Sequence, residues 1–275
     1  MNIMKQNFKI YDQDISNFSQ DGCVVLRGVF KEWVRILQEG VEKLIINPSP
    51  RERSYKPEDG SSPFFQDLCN WQRIKEFEDF VFNSCVGEIS AQLMNSKSSI
   101  FFHDHVLVKE PGSSIVTPWH QDQPYYCTSG LQTVSFWIPL DFVPKHISLQ
   151  CIAGSHLWGK IHKPKRFNGE DLYENDKSDE MPDIDKNINL YDVLSWELEP
   201  GDAIAFNFRV IHGADANLNN LARRRVFSAR WIGDDGYFVD RKGKGSPPFE
   251  HLNLKTGDAL NIPDFPIIYL NDNRK

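Results

Sequence analysis

From Ser98 onward the chain breaks into short apolar runs closed by turn residues, with no helical run between them, and this texture constrains the fold more than any other feature of the sequence. Residues 100–109 end at Pro111-Gly112. Residues 133–140 and 148–152 follow, the second ending at Gly154. Residues 203–212 come after Pro200-Gly201, and residues 224–232 stop at Gly233. A doubly wound parallel sheet needs a helix between successive strands. Strands joined by turns predict an antiparallel sandwich or barrel. The first third reads differently. Over residues 30–47 the apolar positions Val34, Leu37, Val41 and Leu44 recur at intervals of three and four, which predicts a helix with one buried face, stopped by Asn47-Pro48. A second helix is predicted over residues 71–94, with Ile74, Phe77, Val81, Cys85 and Ile89 inward. Residues 23–27 form a short strand ended by Gly28. The expected fold is mainly β with flanking α, as a single domain over residues 1–275. One charged stretch, residues 163–186, interrupts it and reads as a surface excursion or a lid over a site.

Composition excludes several functions. The formal charge of −7 argues against a general grip on nucleic acid or an acidic membrane, both of which need a basic face. No apolar run is long enough to span a bilayer, and the first residues are too polar for a signal peptide, so the expected location is cytoplasmic. Five cysteines, an odd number without a CxxC pair, argue against a disulfide framework and a cysteine zinc site.

The chemistry is carried by histidines. In His120-Gln121-Asp122 an imidazole and a carboxylate stand two apart, and a strand places such residues on one face. His212 is the best candidate for a third ligand, because it ends the run 203–212, in which Phe206, Phe208 and Val210 share its face. Two histidines and a carboxylate on one side of a metal leave the opposite positions open, as in non-haem Fe(II) oxygenases. His103-Asp104-His105 has similar spacing and is a rival. An arginine separates the two. In the run RRRVFSARW, Arg224, Val226, Ser228 and Arg230 share one strand face, and a guanidinium with a hydroxyl four residues on suits a carboxylate gripped bidentately. Iron(II) with an anchored dicarboxylate points to 2-oxoglutarate. Face parity selects Arg224; a register slip of one would select Arg223 or Arg225.

At this point the chain resembles the phytanoyl-CoA dioxygenase family of Fe(II)- and 2-oxoglutarate-dependent oxygenases. The matching stretches are DGCVVLRGVF, LVKEPGS, TPWHQDQPYY, FWIPLDF, AGSHLWG, EPGDAIAFN, IHGADAN and RRRVFSARWIGDD, in family order over most of the chain. The resemblance implies a double-stranded β-helix (jelly roll) behind N-terminal helices. It implies iron ligands at His120, Asp122 and His212, a 2-oxoglutarate anchor at Arg224, and an aromatic wall at Trp137. Gln121, Ser228 and His105 are expected to complete the cosubstrate's surroundings. Ala214 stands where some members carry a hydroxyl, and Ser228 is the candidate to replace it. Gln150 and Cys151 are expected to shape a distinct pocket, whereas Gly154-Ser155-His156 reads as a structural turn.

With O₂, such a site oxidises a C–H bond and releases succinate and CO₂. Hydroxylation is favoured over halogenation, because a related halogenase leaves the carboxylate's position empty for chloride. Trp119, Tyr125, Tyr126, Phe136 and Phe208 are candidates to line an apolar pocket. His103, His105, Arg230 and Asp234-Asp235 are candidate polar contacts. The expected partner is a small-molecule substrate rather than an acyl-CoA, since no further basic cluster is evident, with the chain a monomer or homodimer. A cupin-like isomerase needs the histidines without the arginine, and a jelly-roll binding module needs no metal.

Overall fold

A computed structural model describes residues 8–166, 169–218, 222–241 and 245–271. In chain order the elements are α1 (Asp12–Asp21), β1 (Cys23–Leu26), α2 (Val34–Ile46), β2 (Phe64–Leu68), α3 (Lys75–Asn83), α4 (Val86–Leu93) and β3 (Ser98–Lys109). Next come β4 (Thr117–His120), β5 (Thr128–Ser129), β6 (Thr133–Pro139), β7 (Leu149–Ile152), β8 (Val193–Ser195) and β9 (Ala203–Phe206). The chain closes with β10 (His212–Ala214), β11 (Arg224–Ile232), β12 (Tyr237–Phe238) and β13 (Ile267–Leu270). The main sheet runs β1-β9-β6-β11-β3-β13, with β2 also on β3, and a smaller sheet runs β4-β10-β7-β8. Every pairing within them is antiparallel. This is the expected jelly roll.

Strand alternation decides which side chains meet which layer. On β11, Phe227, Ala229 and Trp231 turn outward and pack with Phe77 and Phe80 of α3 and Leu37, Val41 and Leu44 of α2. The Phe77 and Phe227 rings stand 4.7 Å apart. The alternate positions Arg224, Val226, Ser228 and Arg230 turn inward and are all buried. On β6, Val134, Phe136 and Ile138 belong to the helix-side core, and Trp137 faces the interior between the sheets. Phe136 is therefore core and not pocket wall, which corrects that expectation.

Two elements depart from the sequence reading. The predicted helix over 71–94 is broken: Ser84 is extended at φ −83, ψ 173, and its hydroxyl accepts from Val86 N–H at 3.3 Å, which starts α4 as a separate helix. The predicted strand over 203–212 is also divided. After Phe206, Asn207 donates to the carbonyls of Leu131 and Thr133 and its side-chain oxygen accepts from Arg209 N–H. This side-chain-supported turn swings the chain from the main sheet to the smaller one, where His212 opens β10. The turn also seals Phe208 in the core beside Phe102 and Tyr126, away from the pocket.

Candidate active site

His120 ends β4 and His212 begins β10, and the two are directly paired in the smaller sheet. Their rings lie 4.2 Å apart. Each Nδ1 meets the carbonyl two residues earlier, Pro118 at 2.8 Å for His120 and Val210 at 3.0 Å for His212. Such a bond puts the proton on Nδ1 and leaves the Nε2 lone pair pointing inward, the orientation a metal-ligating imidazole needs. Asp122 reaches the same point differently from the strand expectation. The ladder ends at His120, and Asp122 sits in a helical conformation (φ −74, ψ −41) at the head of a short turn, its N–H bonded to Phe208 O. Its Oδ1 lies 3.7 Å from His120 Nε2 and 3.8 Å from His212 Nε2. These gaps are too long for hydrogen bonds and leave room for an ion. The three ligand atoms lie within 4.8 Å of one another, and among the described residues no other such group occurs.

The other oxygen of Asp122 is held by the protein. Oδ2 accepts from Ser135 Oγ at 3.0 Å and lies 3.5 Å from Arg230 Nε. Burial alone raises this carboxyl, but the Arg230 guanidinium, then His212 and His120, more than offset it and hold Asp122 well below the usual carboxylate range. Burial, reinforced by His120, pushes His212 down to about 3, so both groups are in their ligating forms at neutral pH. Arg230 is thus a bracket beside the site; its Nε also donates to the Tyr126 hydroxyl. Asp234 and Asp235 do not join it. Asp234 accepts from the Lys97 and Ser98 amides, and Asp235 from the Leu131 and Gln132 amides, so both lock loops.

A cavity of about 600 Å³ opens over this cluster between the sheets. At its far end Arg224 is buried with its guanidinium 5.9 Å from the Trp137 ring and Nη1 donating to Ile147 O. Lys109 is Arg224's direct cross-strand partner and is also buried. Burial, with the adjacent Arg224 charge, pushes its amine down to about 6. Among the described residues neither side chain has a carboxylate bound to it. Both reach the Asp215 carbonyl, 3.2 Å from Lys109 Nζ and 3.5 Å from Arg224 Nη1. A buried guanidinium beside a buried amine that an anion would recharge, with an unpartnered Ser228 hydroxyl on the same face, fits an anion. Lys109 is the residue the sequence reading missed; its signal was parity with Arg224 across the β3–β11 ladder. The flanking arginines point away: Arg223 pairs with Glu42 and Glu110, and Arg225 with Glu42 and Asp141.

Other expected residues scatter. Trp119, Tyr125, Tyr126 and His105 line the cavity, as does Phe206, which was not anticipated. Gln121 does not. Its amide bonds the Lys160 and Arg209 carbonyls and accepts from His162 N–H, so it ties three segments together behind the site. The rival His103-Asp104-His105 is no ligand set, because the Asp104 carboxylate accepts from the Asn70 and Trp71 amides. Cys151 is buried in the core beside Cys23 and Gln150 bonds Asp215, so neither shapes the cavity. Ser155 links Ile152 O to Ile211 N–H, a structural turn as expected.

A jelly roll with two histidines and a carboxylate clustered at one end of its interior has the layout of mononuclear non-haem metal oxygenases. Known proteins narrow this. A model of the phytanoyl-CoA dioxygenase family matches residues 18–226, and the chain belongs to that family of Fe(II)- and 2-oxoglutarate-dependent oxygenases. Among curated relatives, the multifunctional dioxygenase prhA of Penicillium brasilianum is 23% identical over 237 residues, 79% of this chain and 70% of its own length. The dioxygenase cdmD of Talaromyces verruculosus is 26% identical over 237 residues, 76% of this chain and 70% of its own length. The fold is shared with the α-ketoglutarate-dependent carbocyclase SnoK from nogalamycin biosynthesis (TM-score 0.75, 18% identity, 94% of this chain and 97% of that one). It is shared too with the epimerase SnoN, solved with Fe³⁺, α-ketoglutarate and nogalamycin RO (TM-score 0.71, 19% identity, 94% and 98%). Among the described residues no helix is long and apolar enough to cross a membrane.

Proposed function

We propose that this oxygenase hydroxylates a C–H bond of a small molecule, with Fe(II) held by His120, Asp122 and His212 and 2-oxoglutarate anchored by Arg224 and Lys109. The observation that carries the reading is the convergence of two Nε2 lone pairs and one carboxylate oxygen on a common point, each with its other polar atom already bonded. Bound there, Fe(II) and 2-oxoglutarate supply the oxidation of a C–H bond by O₂, releasing succinate and CO₂. The chain's own side chains do the rest. The Nδ1–H bonds fix the imidazole tautomers, and Ser135 and Arg230 turn Asp122 so that Oδ1 faces inward. Arg224, beside the Trp137 ring, would hold one carboxylate of the cosubstrate, with Ser228 in the place of the hydroxyl that Ala214 lacks. Leu107, Leu149 and Val226 keep water from the space between. Because Asp122 occupies the third ligand position, no place is left there for chloride, which favours hydroxylation over halogenation.

Residues 163–186 supply Lys163, Lys165, Leu172 and Met181 to the cavity wall, which supports their role as a lid. A cytoplasmic location fits the composition but rests on that alone.

The reading is tested by adding Fe(II) and then 2-oxoglutarate to the protein without oxygen and following the charge-transfer absorption of the chelate. It should appear in the wild type and be absent in His212→Ala and Asp122→Ala, which should keep native circular dichroism. A chelate of wild-type strength in either variant removes that residue from the ligand set. Incorporation of ¹⁸O₂ into product then distinguishes hydroxylation from other oxidations.

A further inference from the structure

The cavity has a charge that its cosubstrate does not use up. Seven of its lining side chains are Lys or Arg, and Asp122 is the one carboxylate among the described lining residues. The whole chain, by contrast, has a net charge of −7. Arg224 and Lys109 face the proposed cosubstrate, and Arg230 brackets Asp122. Four cations remain, all at the mouth: Arg53, Lys163, Lys165 and Arg166. Lys163 and Lys165 share Glu180, at 2.7 Å and 2.9 Å, so one carboxylate answers two of the four charges. Arg53, Tyr55 and Arg166 all line the cavity, and both arginines act electrostatically on the Tyr55 hydroxyl. Arg53 also acts on His105, whose buried Nε2 has no hydrogen-bond partner and lines the same wall. Arg230 adds a buried Nη1 that is likewise unpartnered. The same lining also carries apolar side chains, Leu68, Trp119, Leu172 and Met181.

We infer that the substrate is an amphiphilic small molecule whose anionic group, a carboxylate, phosphate or sulfate, docks on Arg53 and Arg166 beside Tyr55 while its apolar body lies over the metal site. The inference rests on the oxygenase reading for the position of the reacting carbon, and it corrects the sequence expectation that no basic cluster exists beyond the arginine run. That cluster is invisible in the sequence because Arg53 and Arg166 lie more than a hundred residues apart, one in the loop before β2 and the other in the charged excursion. A cationic rim on an acidic protein draws an anion to the entrance and orients it with the charged end outward.

The test uses two fluorescent probes of similar size, with Fe(II) and saturating 2-oxoglutarate present and oxygen excluded. They are anionic 1-anilinonaphthalene-8-sulfonate and neutral N-phenyl-1-naphthylamine. In the doubly substituted Arg53→Gln/Arg166→Gln protein the sulfonate should bind about tenfold or more weakly, while the neutral probe is unchanged; the loss of two charge-assisted contacts sets that scale. Arg53→Lys/Arg166→Lys should retain most of the sulfonate affinity. Equal weakening of both probes, or unchanged sulfonate binding in the glutamine variant, overturns the inference. So does sulfonate binding that is seen with Fe(II) alone and lost once saturating 2-oxoglutarate is added, which assigns the rim to the cosubstrate. Succinate release by the wild-type protein with Fe(II) and 2-oxoglutarate tests the oxygenase reading separately: its absence sinks that reading while the two-probe comparison still stands on its own.

Discussion

Arg224 and Lys109 show what a pair of side chains contributes when both are buried side by side. Removing one member of a buried, hydrogen-bonded charge pair costs about 2–5 kcal/mol, so Arg224→Ala should raise the 2-oxoglutarate requirement by roughly thirty-fold to several thousand-fold. Iron binding should be nearly unchanged. Arg224→Lys should recover part of the loss, since an ammonium cannot make the two-pronged contact. Arg223→Ala and Arg225→Ala, whose guanidiniums already pair with Glu42, Glu110 and Asp141 on the outer face, should leave it close to wild type. Lys109 adds a pH signature. With its amine pushed down to about 6, it is largely neutral at pH 7.5, and a carboxylate placed beside it raises it again toward its ordinary value. Binding of 2-oxoglutarate at that pH should therefore take up a proton, whereas below pH 6, where Lys109 is already charged, it should take up little. Calorimetry in buffers of different ionisation enthalpy reads this directly, and Lys109→Met should abolish it. Of this pair the sequence revealed only Arg224. Parity within one strand is legible in a single run, but a cross-strand partner depends on a register that no local pattern states.

Between single residues and the whole fold lie the elements, and here the legible part was the one set by periodicity. β11 occupies the predicted span, and its alternation sends Arg224 inward and Phe227 outward as its pattern requires. Phe77→Ala on α3 should therefore cost about 3–5 kcal/mol in urea unfolding, because it empties the helix–sheet contact rather than the site. What periodicity could not reveal were the breaks. Residues 203–212 are apolar throughout, yet the Asn207 side chain provides three hydrogen bonds that favour a turn and divide the run between two sheets. Asp122 similarly reaches the His120–His212 cluster from a turn, so the strand argument brought these residues together through the wrong geometry. Asn207→Ala should lower stability by about 1–3 kcal/mol and weaken Fe(II) binding as well, because the turn sets where β10 begins. Metal affinity unchanged in a destabilised Asn207→Ala protein would show that β10 finds its place without it.

At the scale of the whole molecule, the two histidines proposed as ligands lie on a ladder of only two registered pairs, His212 with His120 and Ala214 with Thr117, with a bulge between them. So short a ladder joins β4 to the rest of the smaller sheet, and the chain between β4 and β10 runs for about ninety residues, a loop whose closure is entropically unfavourable. An ion shared by His120, Asp122 and His212, as proposed above, would act there as a clasp. Chelating the metal should lower the melting temperature and selectively speed amide exchange in β4, β7, β8 and β10, while the helix-backed strands β6 and β11 keep their protection. Exchange that rises equally in both sheets would show that the ion does not fasten this ladder. The clasp also ties the protein's lifetime to its metal. A cell short of iron should hold less of this chain, through faster proteolysis at the opened edge and with no change in its synthesis, so that supply of the cofactor sets abundance as well as activity.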